Sequence, residues 1–188
     1  MRRGFLALTF LAAAVLAAPA QAETRAQARQ AQLDHLFKAL RAAPDEDTAG
    51  MIEGRIRKLW AEQASPAAAL LMARGNRDLH NDAAGEAIDD FSAVLDLEPD
   101  YSQAYANRAV ARAAAGDFAG AVGDIQAALT RDPRNFAALQ ALSRIAEEQG
   151  NWQGALDAWQ KVLDIDPRMP GGADRLQMLI RKVEGEST

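Results

Sequence analysis

Three prolines recur at a fixed spacing of 34 residues, and no other feature of the chain constrains its fold as strongly. They are Pro99, Pro133 and Pro167. Three further columns keep the same interval: alanine (Ala87, Ala121, Ala155), a bulky apolar residue (Phe91, Ile125, Trp159) and leucine (Leu95, Leu129, Leu163). Within each unit these columns fall at helical spacing. A period of this length predicts an array of stacked helix hairpins.

Composition places the chain among ordinary globular proteins. It has 188 residues, of which 49% are hydrophobic and 25% are charged. That balance is not typical of a disordered or membrane-embedded chain. Cysteine is absent, so no disulfide can contribute to stability. We therefore expect the hydrophobic core alone to hold the fold together.

The first 22 residues differ from the rest and predict a cleaved signal peptide. Arg2 and Arg3 precede an apolar run over residues 5–18, and the tripeptide Ala-Gln-Ala at 20–22 suits a signal peptidase. The run is shorter than the roughly 20 apolar residues of a transmembrane helix. We expect export to the periplasm by the Sec route, while Arg2 and Arg3 leave a twin-arginine route open.

The charge of the predicted mature chain limits its partners. Without residues 1–22 the chain carries 19 basic and 26 acidic residues, a net charge of −7. An acidic protein is repelled by phosphate backbones and by anionic lipids. We therefore expect no nucleic-acid partner and no membrane insertion after signal cleavage.

Beyond the signal peptide, the chain divides into three parts. Residues 23–66 carry two apolar stripes at helical spacing, separated at Pro44, and predict a hairpin that packs against the first repeat. Residues 68–169 hold three repeat units. These are 68–101, 102–135 and 136–169. Residues 170–188 predict a C-terminal capping helix and tail that close the end of the array.

The columns within the repeats resemble the tetratricopeptide repeat (TPR) family over 102 residues. The bulky residues sixteen positions before each key alanine are Leu71, Tyr105 and Leu139, and the small residues twelve before it are Gly75, Ala109 and Ser143. The chain departs from the family nine positions before it, where Asp78, Arg112 and Ala146 replace the usual tyrosine. The resemblance, closest to small exported bacterial TPR proteins, implies an all-α, right-handed α-solenoid with about nine helices in the mature chain.

By the same resemblance, the concave face binds an extended peptide through the first helix of each unit. The implied partner-binding residues are Met72, Asn76, Asn107, Val110, Gln140 and Arg144, with Leu79, His80, Ala114 and Glu148 in the same lining. Some family members grip a partner's terminal carboxylate with two asparagines and several cations. Here Met72, Ala137 and Ala141 occupy the cation positions, so we expect no carboxylate clamp.

Two charged pairs recur within the repeats. Arg74 and Asp90 lie sixteen residues apart, as do Arg108 and Asp124. In a helix hairpin this spacing can place the two side chains opposite each other, which predicts structural ion pairs. The third unit has lost both partners together, since Leu142 and Ala158 occupy those positions.

No sequence pattern indicates catalysis, a cofactor or a metal site. His35 and His80 are the only histidines, and no nucleophile or phosphate-binding motif is present. We therefore expect a non-catalytic scaffold or adaptor for proteins in the bacterial cell envelope. Three alternatives remain: a periplasmic chaperone-like or secretion-assembly factor, an enzyme accessory subunit, and a self-assembling protein. Partner identity and oligomeric state stay open.

Overall fold

The computed structural model describes residues 11–186, and this part of the chain forms nine α-helices with no strand. Their bounds are α1 Leu11–Arg41, α2 Glu46–Ala61, α3 Pro66–His80, α4 Ala84–Leu97, α5 Ser102–Ala114, α6 Phe118–Arg131, α7 Phe136–Glu148, α8 Trp152–Ile165 and α9 Gly172–Glu186. The predicted all-α class with about nine helices is confirmed. Residues 1–10 of the predicted signal peptide lie outside the described residues, and residues 11–22 form the start of α1. None of the described helices is long and apolar enough to cross a membrane.

Local capping explains where several helices begin. The Asp45 carboxylate accepts a hydrogen bond from the Thr48 amide at 2.8 Å at the start of α2. Hydrogen bonds from the Thr48 side chain and from its amide lower the pKa of Asp45. Asp117 and Asn151 cap α6 and α8 in the same way. Each cap supplies an acceptor for an amide that has no partner within its own helix.

Left-handed residues form the turns inside the three hairpins. Gly116 and Gly150, with φ of 84° and 72°, end the first helices of the second and third units. The first unit uses Asp82 in the corresponding turn, with a φ of 58°. A side chain disfavours this conformation, and aspartate tolerates it better than most residues. The turn of the first repeat unit therefore has a strained residue at its centre.

The repeats form hairpins α3–α4, α5–α6 and α7–α8, which stack side by side. The alanine column lies in the contact between the helices of each hairpin, where Ala87, Ala121 and Ala155 are fully buried. The small residue Gly75 allows an equally close approach, because a Cβ added there would lie 2.8 Å from Cε1 of Phe91. The columns therefore set the distance between paired helices.

The N-terminal hairpin α1–α2 packs against the third unit. Its buried apolar residues share one core with α7, α8 and α9. At the centre of this core, the rings of Trp60 and Phe136 lie 5.1 Å apart, and those of Trp60 and Phe37 lie 6.0 Å apart. The prediction that this hairpin packs on the first repeat is wrong. The physical reason is that α7 presents Phe136 to the hairpin, whereas the start of α3 presents mainly alanines.

Polar contacts reinforce this docking at its edge. Arg134, in the turn before α7, pairs with Asp34 of α1 at 2.8 Å and stacks over Phe37 at 4.3 Å. Arg41 donates a hydrogen bond to the main-chain oxygen of Asp164 at 3.0 Å. These contacts join residues about 100 positions apart in sequence. The array is therefore not a purely linear stack in which each unit contacts only its sequence neighbours.

Two acidic side chains are buried in the same interface. Glu53 of α2 faces Asp166, which follows α8, and Asp166 is fully buried. Burial, followed by the hydrogen bond and the charge of Glu53, raises the pKa of Asp166 to about 7. When protonated, Asp166 can donate to the Glu53 carboxylate. When ionised, its Oδ2 has no hydrogen-bond partner among the described residues.

Helix α9 also packs against the third unit. Leu179 is fully buried in the shared core, and the Trp159 indole donates to the Gly172 carbonyl at 3.0 Å. Arg175 stacks over Trp159 at 4.6 Å and pairs with Glu147 of α7. The third unit lacks the charged pair of the first two, and here a cation from α9 contacts its first helix instead.

Candidate functional site

Each first helix of the array presents one stripe of side chains. On α5 the stripe is Gln103, Asn107, Val110 and Ala114, which follow one another at helical spacing. Met72 and Asn76 occupy the corresponding face of α3, and Gln140, Arg144 and Glu148 that of α7. Because α5 contacts both α3 and α7, these stripes are neighbours on one surface. We call this surface the groove.

The two asparagines of the groove contact each other. The Asn107 side-chain nitrogen donates to Oδ1 of Asn76 at 2.8 Å, which links α5 to α3. His80 lies one turn further along α3, and its Nδ1 donates to the main-chain oxygen of Asn76 at 2.5 Å. Each amide keeps further hydrogen-bonding capacity, since a carboxamide has two donor hydrogens and an acceptor oxygen. The pair is therefore a fixed polar point on the groove.

A small cleft lies between α5 and α7. Its volume is about 120 Å³, and its lining is Val110, Ala113, Ala114, Ala141, Arg144, Ile145 and Glu148. Val110 and Ile145 supply apolar walls, whereas Arg144 and Glu148 are exposed at its edge. The cleft has room for one medium-sized apolar side chain, and both signs of charge stand at its rim.

The structure does not bring all the predicted binding residues into one site. Val110 and Arg144 line the cleft, and Asn76 and Asn107 form the amide pair. Gln140 is partly engaged, because its amide donates to Sδ of Met169 at 3.0 Å.

Met72 of α3 is also partly engaged. It is half-buried and packs against the apolar clusters of the first unit. The groove therefore offers two contact points, the amide pair and the cleft, and Met72 and Gln140 belong in part to the core.

The cation positions of the carboxylate clamp carry no charge. Ala141 is almost fully buried and forms part of the cleft floor, and Ala137 is half-buried. Met72 packs inward, as described above. The absence of clamp activity remains a prediction, and these placements are consistent with it.

Gln103 belongs to the groove stripe, although our sequence reasoning missed it. It lies one turn before Asn107 on α5, and its side-chain nitrogen is buried without a hydrogen-bond partner in the described part of the chain. An unsatisfied buried donor costs roughly 1–3 kcal/mol. The helical spacing from Asn107 was the signal that could have identified it.

The charged pairs lie between the helices of their hairpins. Arg108 forms two hydrogen bonds with Asp124, at 2.8 Å from Nε and 2.7 Å from Nη2, and a third with Ser92 of α4 at 3.1 Å. Arg112, one turn further along α5, also reaches Asp124 at 2.9 Å. The hydrogen bonds with Asp124 raise the pKa of Arg108 above its ordinary value. This network fixes the second hairpin and its contact with the first.

The first unit has a more exposed version of this pair. Arg74 contacts Asp90 through two nitrogens, and this hydrogen bonding raises the pKa of Arg74. Its side chain is 58% exposed, against 16% for Arg108. Solvent therefore screens the cation of the first pair more strongly, whereas the carboxylates of both pairs are buried. In the described residues, no group of three or more possible metal ligands comes together.

Known proteins share this architecture. A tetratricopeptide repeat family model matches residues 71–134 and 107–170. A TPR repeat-containing protein of Rhizobium etli is 31% identical over 157 residues, which is 84% of this chain and 77% of that protein. The small glutamine-rich tetratricopeptide repeat-containing protein 2 of Saccharomyces cerevisiae is 32% identical over 121 residues, but only 35% of its length is matched.

Solved structures agree in fold. The Sgt2 TPR domain from Aspergillus fumigatus superposes with a TM-score of 0.61 at 25% identity, over 66% of this chain and 83% of that domain. The first TPR domain of Spaghetti (RPAP3), bound to the HSP90 peptide SRMEEVD, gives 0.59 at 21% identity, over 64% and 98%. The TPR2B–Hsp70 complex of yeast Sti1 gives 0.58 at 20% identity, over 65% and 99%. The period, the buried columns and these matches agree, and the chain belongs to the tetratricopeptide repeat family.

Proposed function

We propose that this protein is a non-catalytic interaction scaffold that binds an extended peptide segment of a partner protein in the groove. The observation that carries the proposal is the Asn76–Asn107 amide pair beside the cleft of Val110 and Arg144. One structural neighbour was solved with an HSP90 peptide and another in a pHsp70 complex, which supports the same use of the fold.

The chemistry of the groove suits a peptide main chain. Asn76 and Asn107 offer donors and acceptors that can pair with peptide N–H and C=O groups, which are present in every sequence. The cleft between α5 and α7 would then take one apolar side chain, and Arg144 and Glu148 would contact the neighbouring residues of the peptide. Because no cation stands at the clamp positions, the peptide is held along its length and not by its terminal carboxylate.

The place of action proposed here is the bacterial cell envelope. The basic start, apolar run and small residues before position 23 support export and cleavage. Expression in a Gram-negative host followed by N-terminal sequencing of the periplasmic protein tests this, and we expect Glu23 as the first residue. Retention of Met1 in a cytoplasmic fraction would overturn the export proposal.

A selection from a random peptide library tests the groove. Peptides selected on the full-length protein should lose at least tenfold in affinity for the Asn76→Ala/Asn107→Ala/Arg144→Ala variant. A matched control is Arg77→Ala/Gln126→Ala/Lys161→Ala, which removes three exposed polar side chains outside the groove stripes. Equal losses in both variants, or no loss in either, would place the site elsewhere. If unfolded sequences of every kind are selected, the chaperone-like alternative is favoured over a scaffold.

A further inference from the structure

The outer face of the N-terminal hairpin carries a cleft that the groove does not include. It lies between α1 and α2 and has a volume of about 580 Å³. Its lining is Ala31, Gln32, His35 and Leu36 from α1, and Arg55, Lys58, Leu59 and Glu62 from α2. Leu36 and Leu59 are half-buried and form an apolar floor.

An exposed methionine extends the same face of α2. Met51 is 67% exposed, and it lies one turn before Arg55 on the side that also presents Lys58 and Glu62. The face from Met51 to Glu62 is about 16 Å long at the rise of an α-helix. This length matches three turns of a helix laid into the cleft.

The rim of the cleft carries positive charge that is unpaired within the described part of the chain. The side chains of Arg55 and Lys58 are exposed, and neither makes a hydrogen bond or ion pair within residues 11–186. Arg57, their neighbour on α2, differs because it pairs with Glu53 on the docked side. His35 stands across the cleft on α1. Among the described residues of the lining, Glu62 is the only one with a carboxylate.

The hairpin differs in charge from the rest of the chain. Residues 64–188 hold 12 basic and 19 acidic residues, whereas residues 23–63 hold seven of each. An acidic partner is therefore repelled by the array and least opposed at the hairpin. The hairpin is also held rigidly by its other face, through Trp60 and Arg134, so binding there orders few additional groups.

We propose that this outer cleft is a second docking site, which takes an acidic amphipathic helix of about three turns from a partner protein. Leucine-like side chains spaced at i, i+3 or i+4 and i+7 pack on Leu36, Leu59 and Met51, since flexible methionine adapts to such a face. Carboxylates flanking them pair with Arg55 and Lys58. The two sites lie on different helices, so the scaffold can hold two partners at once.

Designed peptides test directly whether the outer cleft prefers an acidic helix. The probe is a fluorescein-labelled 14-residue helix with leucines at these spacings and glutamates on its flanks, and its twin has lysines in place of the glutamates. The full-length protein should bind the glutamate peptide at least tenfold more tightly in fluorescence anisotropy. The Arg55→Glu/Lys58→Glu variant should invert this preference, and Met51→Ser should weaken both peptides.

Matched variants separate the site from general electrostatics. Lys161→Glu/Arg181→Glu makes the same charge change at exposed positions of α8 and α9, and it should keep the wild-type preference. The groove variant Asn76→Ala/Asn107→Ala/Arg144→Ala should also keep it, which distinguishes this site from the proposed function. Equal binding of the two peptides, or inversion by the α8/α9 control, would overturn the proposal. A wild-type dimer that Arg55→Glu/Lys58→Glu dissociates in sedimentation would also overturn it, because the occupant would then be a second copy.

Discussion

The first and third repeat units have the same sequence columns but very different surroundings. The outer face of the first unit is open, and Leu70 and Leu97 are 74% and 54% exposed there. The third unit is covered by both α1–α2 and α9, and its Phe136 and Trp159 belong to the largest hydrophobic core among the described residues. Equal repeat patterns therefore do not give equal units, because both non-repeat segments pack on the third.

This difference implies a gradient of stability along the array. The free energy of local opening depends on how much apolar surface a segment buries and how many contacts hold it. The first unit relies on small clusters around Phe91 and Val94, whereas the third shares a core with three other helices. We expect amides of α3 and α4 to exchange with solvent faster than those of α7 and α8.

The largest expected effect distinguishes the core that the N-terminal hairpin shares with the third unit from the core of the first unit. Trp60→Ala and Phe91→Ala each remove a buried aromatic ring and should lower the free energy of unfolding by about 3–5 kcal/mol. Their patterns of hydrogen exchange should differ. Trp60→Ala should speed exchange in α7 and α8, and Phe91→Ala should speed it in α3–α5. Faster exchange in α3 alone after Trp60→Ala would contradict the docking of the hairpin on the third unit.

The next effect concerns pH and belongs only to the third-unit interface. The pKa of Asp166 is about 7 in the folded protein, against an ordinary value of 3.8. Between about pH 4 and 7 the folded state therefore keeps a proton that the unfolded state has released, so stability falls as the pH rises through this window. Each unit of difference between the pKa values of the folded and unfolded states corresponds to about 1.4 kcal/mol of unfolding free energy.

Asp166→Asn tests this pH dependence. Asparagine keeps the acceptor for the Arg168 amide and supplies a donor towards Glu53 without titrating. Thermal melts should show a smaller loss of stability between pH 5 and pH 8 in this variant than in the wild type. The conservative control Asp132→Asn changes the equivalent residue of the second unit and should leave the wild-type slope. Identical slopes in all three proteins would mean that Asp166 is ionised throughout.

A smaller effect compares the charged pairs of the first two units. Arg108→Ala should lower the free energy of unfolding by about 1–3 kcal/mol, because Asp124 stays buried with only Arg112 as a partner. Arg74→Ala should also lower it by about 1–3 kcal/mol, because Asp90 is buried like Asp124 and then keeps no ion-pair partner among the described residues. The exchange Arg108→Asp/Asp124→Arg should restore stability only in part, because Arg112 would then face a second cation. An unchanged melting temperature in both alanine variants would contradict a structural role for these pairs.

How much of this follows from sequence can be seen residue by residue. The period of Pro99, Pro133 and Pro167 predicts the hairpins, because spacing inside a repeat is a local property. The docking of α1–α2 could not be predicted in this way. It depends on the contact between Phe136 and Trp60, which are 76 positions apart. Neither residue belongs to one of the repeat columns, so the period does not pair them. The outer cleft was missed for the same reason, since it exists only once the hairpin has formed.

The smallest expected effect lies in the turn of the first unit. Asp82→Gly should stabilise the protein by about 0.5 kcal/mol, because glycine adopts a φ of 58° without strain but loses more entropy on folding. Gly116→Ala, in the equivalent turn of the second unit, should destabilise it by about 1 kcal/mol. Chemical denaturation measures both. Destabilisation by Asp82→Gly would mean that the aspartate side chain holds this turn.

Engineered cysteines test the position of the hairpin most directly, because the chain has no cysteine of its own. A Cβ built at Gly50 lies 3.6 Å from Cγ of Pro170, so the two positions are in van der Waals contact and close enough for a disulfide to be tested there. Gly50→Cys/Pro170→Cys should therefore form an intramolecular disulfide under mild oxidation, seen as a shift in non-reducing electrophoresis. Met51→Cys/Leu70→Cys, which joins the exposed faces of α2 and α3, should stay reduced. A crosslink in the second pair and none in the first would show that the hairpin packs on the first unit, and it would contradict this account.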